Sequence, residues 1–189
     1  MRRRDGETGK ALHERLRFDT ARGEIRDGPR RYVVLRADVL MGLFDRLEEP
    51  ARRQALEAFG ASVAQFGSGS VKAYLAQVGP DQLANMMEAA SASLGWGRWE
   101  LRQTAGRLDL RVANSPFAAA STRHGSVACY PIAGMLQAVA EALWGEGAQA
   151  RELRCACDAQ PRGGECVFEA VPLHPAGLAP SAPVPSSPP

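Results

Sequence analysis

Cys129-Tyr130-Pro131, Glu152-Leu153-Arg154-Cys155-Ala156-Cys157-Asp158 and Gly163-Gly164-Glu165-Cys166-Val167-Phe168-Glu169 are the stretches that decide the reading of this chain. They hold all four of its cysteines. Pro131 suits the first turn of a helix, and Ile132, Met135, Leu136, Val139, Ala140 and Leu143 recur after it at helical spacing. Cys129 then stands at a helix N-terminus, where the helix dipole favours a thiolate. Residues 151–157 and 166–171 read as two strands joined by a loop that holds Pro161 and Gly163-Gly164. That hairpin returns Cys166 toward Cys155, so one metal can clip the helix start to the last hairpin. Zinc takes about four ligands in a tetrahedron, commonly thiolates with an occasional carboxylate. In a regular strand Cys155 and Cys157 share a face and Glu152 points to the other. A regular strand therefore predicts an all-cysteine site that uses Cys157, and a bulged strand predicts Glu152 in its place. The alternative to a metal is a set of small buried thiols packed as apolar residues.

Outward from this segment, the periodicity divides the chain. Tyr32-Val33-Val34-Leu35 reads as a short strand, and Asp38 as the cap of a helix whose stripe is Val39, Leu40, Leu43, Phe44 and Leu47. A second helix starts at Pro50 with Leu56, Phe59, Val63 and Phe66 on one face. Gly67-Ser68-Gly69-Ser70 is expected to interrupt it before Val71, Tyr74, Leu75 and Val78 resume. Gly79-Pro80 stops that run, and a third helix carries Leu83, Met86, Met87, Ala90 and Leu94. The period then changes to two: Trp99 and Leu101, and after a turn at Ala105-Gly106, Leu108, Leu110 and Val112 alternate with polar residues. This is an antiparallel hairpin with one wet face. Helices followed by hairpin, helix and hairpin predict an α+β fold, with N-terminal helices packed on an antiparallel sheet.

The ends differ from the middle. Residues 1–31 hold ten basic and six acidic residues and few apolar ones, which reads as a basic, irregular arm with a short strand near Glu24-Ile25. Seven of the eighteen residues from Pro172 to Pro189 are proline, so that tail is expected to be disordered. The domain is thus expected at 32–171, its helical half at 38–94.

The chain's 189 residues suit one domain with a sizeable core. A net charge of +2 from 23 basic and 21 acidic residues argues against a nucleic-acid binder. No apolar run is long enough to span a membrane and no apolar segment follows the basic start, so the expected location is the cytoplasm, where thiols stay reduced. Of the histidines, His13 and His174 lie in the arm and tail and His124 in a loop, so no histidine cluster forms. There is no nucleophile elbow, and the glycines near Phe66 lack the spacing of a phosphate loop. An enzyme with its own catalytic machinery has little support.

Residues 95–171 resemble the V4R (4-vinyl reductase) domain. The likeness rests on Gly95-Trp96-Gly97, the strand pair, Cys129 before a helix, Glu152-x-x-Cys155 and Gly164-Glu165-Cys166-Val167-Phe168. The helices from Arg36 to Leu94 are similar to the helical half of the same fold. The resemblance implies the ligand-binding fold shared with nitric-oxide sensing and vesicle-tethering proteins, and a homodimer formed through the helical half. It implies zinc held by Cys129, Glu152, Cys155 and Cys166; this sequence departs from the family pattern in Cys157, an additional candidate ligand, and in a longer loop between Cys155 and Cys166. It also implies a small hydrophobic or aromatic ligand at the helix–sheet interface, reported to a protein partner whose identity the sequence leaves open. Trp99, Tyr130, Phe59, Phe66, Tyr74, Trp96 and Phe117 are the expected cavity residues, Trp99 and Tyr130 foremost because each joins a ring to a hydrogen-bond donor. Two other roles fit the family: an accessory or reductase-like factor acting on a tetrapyrrole vinyl group in bacteriochlorophyll synthesis, and a dimeric scaffold without ligand. For the former, no flavin or nicotinamide motif is present to supply hydride.

Overall fold

Alternation of buried and exposed residues builds the sheet of this chain, and one long helical stripe builds the layer beside it. The computed structural model describes residues 12–104, 106–123, 127–145, 147–158 and 164–173. The elements run α1 (Leu12–Arg15), β1 (Arg17–Asp19), β2 (Glu24–Asp27), β3 (Arg30–Tyr32), α2 (Ala37–Asp45), α3 (Ala51–Val78), α4 (Pro80–Ser93), β4 (Arg98–Thr104), β5 (Arg107–Ala113), α5 (Pro116–Ala120), α6 (Tyr130–Trp144), β6 (Ala148–Arg154) and β7 (Cys166–Pro172). A short 3-10 turn, Ala156–Asp158, follows β6. The fold is α+β.

Strands β4 to β7 form one antiparallel sheet in the order β4-β5-β7-β6. Trp99, Leu101, Leu108, Leu110, Val112, Cys166, Phe168 and Ala170 are its buried residues. Each strand places these at every second position, which gives one dry face. Helix α6 packs against this sheet and crosses α3 very closely. A Cβ on Gly134 would lie 2.0 Å from the carbonyl oxygen of Gly60, so only glycine permits this approach.

Four local expectations are corrected. Gly67-Ser68-Gly69-Ser70 does not interrupt the second helix, because α3 is continuous over 28 residues. A glycine inside a helix costs about 1 kcal/mol relative to alanine, and tertiary packing outweighs it: Leu56 and Val71 on either side are fully buried, and Gly67 makes room for Met135 of α6. Asp38 is not a cap; α2 starts at Ala37, and Asp38 pairs with Arg36 in its first turn. The strand expected at 32–35 is displaced, since β3 ends at Tyr32 and Val33, Val34 and Leu35 are exposed. The described part of the arm, 12–31, is not irregular. It folds as α1 and the three-stranded antiparallel sheet β1-β2-β3. Arg15 joins this sheet to α3: its Nη2 lies 3.0 Å from Asp27 Oδ2 and donates to the Tyr74 hydroxyl at 3.3 Å. At the other end Pro172 is part of β7, and the Leu173 amide donates to the Gly147 carbonyl at 2.9 Å. The remainder of the proline-rich tail, with His174, and the loop residue His124 lie outside the described residues.

Candidate functional site

Three separate elements deliver the cysteine cluster. Cys129 is the N-cap residue of α6, with Pro131 in the first turn behind it. Cys166 is the first residue of β7, beside Val112 of β5. Glu152 and Cys155 come from the end of β6, where the pairing with β7 slips: Glu152 faces Phe168, but Arg154 faces Val167. The extra residue, Leu153, makes a bulge. Adding one residue to a strand reverses the parity of the side chains beyond it. Glu152 and Cys155, three positions apart, are thereby brought to the same site.

One ligand atom from each of Cys129, Glu152, Cys155 and Cys166 lies within 4.8 Å of the other three. The Cys129 and Cys166 sulfurs are 3.6 Å apart. A tetrahedral zinc with bonds of about 2.3 Å sets its sulfurs about 3.8 Å apart, so the spacing fits such an ion. The Cys129 amide donates to Glu152 Oε2 at 3.0 Å. The other carboxylate oxygen, Oε1, is buried with no hydrogen-bond partner among the described residues. An uncompensated buried carboxylate oxygen costs several kcal/mol, and a cation among three sulfurs removes that cost. Cys157 falls outside the set of four. The 3-10 turn carries it off the strand, and its thiol donates to Cys155 Sγ at 2.9 Å.

The electrostatics agree with a cation site. Burial, then the nearby Cys155 sulfur, pushes the Glu152 carboxyl up to about 8. Hydrogen bonds from Cys129 and Cys166 hold the Cys155 thiol far below its ordinary range, and the bond to Cys155 raises Cys129 in turn. Burial raises Cys157.

Ser115, which the sequence reading missed, is buried in contact with this cluster. It caps α5; its Oγ accepts from the Ala118 amide at 3.3 Å and lies 3.1 Å from Cys129 Sγ. Either the hydroxyl or the thiol can be the donor of that contact. The Ser115-Pro116 pair, a cap residue followed by proline, was the available signal.

Two residues further on, Phe117 reaches a second feature, an apolar cavity of about 900 Å³. Phe117 meets Phe59 and Trp96 edge to face, with ring centroids 6.4 and 5.4 Å away. Five of the expected cavity residues line it: Phe59, Phe66, Tyr74, Trp96 and Phe117. Phe66 stands at its mouth, 75 % exposed. Trp99 and Tyr130 do not line it. Trp99 is 2 % exposed in the sheet core, and its indole N–H donates to the Trp96 carbonyl at 3.2 Å. Tyr130 borders a different cleft, of about 1000 Å³, walled by α3 and α6. The sequence reading also missed the contribution of the arm: Leu12, Leu16, Ile25, Arg30 and Arg31 complete one wall.

No family model matches this chain, and no curated protein matches its sequence. Among solved structures, it is similar to the phenol-responsive sensory domain of the transcription activator PoxR, determined with phenol. The identity is 19 %, the TM-score 0.70, and the likeness covers 85 % of this chain and 86 % of that one. Two weaker likenesses are a vinyl-4-reductase family protein from Methanocaldococcus jannaschii and a trafficking protein particle complex subunit 3 from Naegleria fowleri, the latter covalently bound to palmitic acid. The first is 14 % identical with a TM-score of 0.46, covering 73 % of this chain and 91 % of that one. The second is 7 % identical with a TM-score of 0.48, covering 73 % and 95 %. This chain therefore shares the fold of the PoxR sensory domain. Among the described residues no helix is long and apolar enough to cross a membrane.

Proposed function

We propose that this chain is a binding domain that holds a small hydrophobic or aromatic molecule and is stabilised by a structural zinc. The observation that carries the reading is the 900 Å³ cavity, walled by the interlocked rings of Phe59, Trp96 and Phe117. Apolar cavities of this size with few polar groups suit small organic ligands. The phenol in the PoxR sensory domain, whose fold this chain shares, supports an aromatic one.

Cys129, Glu152, Cys155 and Cys166 are the residues that would hold the zinc. Bound there, the ion supplies charge compensation and a cross-link, with no chemistry on the ligand. The chain's own residues link the two sites. Ser115 touches Cys129 Sγ, and Phe117, on the same short helix α5, forms the cavity wall. Ligand occupancy that shifts Phe117 is thereby felt at the head of α6, which gives a sensor its route of report.

The experiment is native mass spectrometry of the purified protein, followed by calorimetric titration with phenol and 2-naphthol. One zinc per chain and saturable binding are expected. A metal-free protein overturns the zinc assignment, and failure of every apolar ligand tested overturns the binding reading. Self-association through the helical half belongs to the same proposal, supported by Val39 and Leu43 of α2, which stand 55 % and 59 % exposed side by side. Sedimentation at micromolar concentration showing only monomer rejects it.

A further inference from the structure

The cavity is apolar in its body but not neutral at its rim. Among the described residues no aspartate or glutamate lines it, and Arg30 and Arg31 are the charged residues that do. Both belong to β3, on the arm sheet that closes one wall. The acids of that sheet are engaged by other arginines. Asp27 pairs with Arg15 at 3.0 Å and Glu24 with Arg26 at 2.6 Å, while Arg31 reaches Glu24 only at 3.8 Å. Among the described residues no acid is paired with Arg30. The mouth of a low-dielectric cavity thus carries a net positive charge, and low-dielectric walls strengthen such a field.

From this we infer that the ligand is an apolar monocarboxylate, its carboxylate held by Arg30, which shares its strand face with the cavity residues Ile25 and Tyr32, and its body packed against Phe59, Trp96 and Phe117. The inference rests on the binding reading above and narrows it to a class of ligand. Guanidinium groups match carboxylates in a planar, two-pronged geometry that lysine lacks. Desolvating a carboxylate needs such a partner, whereas a phenol or alcohol needs none of this charge. The cavity volume also exceeds what one ring fills, so a fused ring or a medium acyl chain is accommodated.

The test is titration calorimetry of the full chain with two pairs matched in shape, 2-naphthoate with 2-naphthol and octanoate with 1-octanol. In a pair that binds, the carboxylate is expected to bind about tenfold tighter than the alcohol, the worth of one charge-assisted hydrogen bond. Arg30→Ala is expected to lose that preference, whereas Arg31→Ala, on the opposite face of β3, is expected to keep it. Raising salt from about 0.05 to 0.5 M is expected to weaken only the carboxylate; this arm uses the wild-type protein and holds if a variant misfolds. An alcohol that binds as tightly as its carboxylate, or a preference that survives Arg30→Ala, overturns the assignment of class and leaves the cavity standing. Failure of all four compounds overturns the cavity reading itself.

Discussion

Glu152 is the residue whose role is least ordinary. Its Oε1 is buried without a partner among the described residues, while Oε2 holds the Cys129 amide. Glu152→Gln is therefore expected to release zinc much as Cys129→Ser and Cys166→Ser do. Cys157→Ser should retain it, since Cys157 lies outside the group of four ligand atoms. Metal analysis of the four variants checks this directly; loss of zinc in Cys157→Ser with retention in Glu152→Gln reverses the ligand set. A ligand present at about a thousand times its dissociation constant stabilises the fold by about 4 kcal/mol. Losing that is expected to lower the melting temperature by about 10 °C in a chain of this size, a shift that calorimetry resolves. Ser115→Ala should weaken zinc binding about tenfold, the lower end for an outer partner of a metal ligand, as read by chelator competition. The three cysteines of the site were legible in the sequence from residue type and the hairpin. Glu152 was legible only by resemblance, because strand alternation alone points it away from Cys155.

At the scale of elements, the crossing of α3 on α6 and the bulge of β6 do most to shape the site. Gly134→Ala puts a methyl 2.0 Å from the Gly60 carbonyl, and no side chain can yield there. We expect a loss of about 3 kcal/mol, measured by urea unfolding. Gly69, in the same α3, faces open space, so Gly69→Ala should instead gain up to about 1 kcal/mol. Opposite signs from one substitution type separate close approach from helix propensity. The break wrongly expected at 67–70 has the same origin. Glycine lowers local helix preference, but here Gly67 accommodates Met135 of a helix some 65 residues away in sequence, and no local pattern records that.

Across the whole molecule, the two ends of the chain behave differently from their composition. Removing residues 174–189 should leave the melting temperature nearly unchanged, because that proline-rich stretch has no apolar period. Starting the deletion at 172 should lower it by a few degrees, since Pro172 pairs with Ala148 and Leu173 bonds Gly147; thermal unfolding of the two truncations compares them. By itself the sequence determined the α+β class, most of the helices and the sheet strands, and the cysteine donors. These follow from periodicity and residue type, which are properties of neighbours along the chain. Only the tertiary structure decided that the arm forms a cavity wall, that Trp99 turns into the sheet core and Tyr130 toward another cleft, and that a one-residue slip brings Glu152 to Cys155. Each depends on which distant surface a side chain meets. Periodicity says that a face is buried; it does not say against what, nor where a strand must break its own alternation to satisfy a site assembled from three elements.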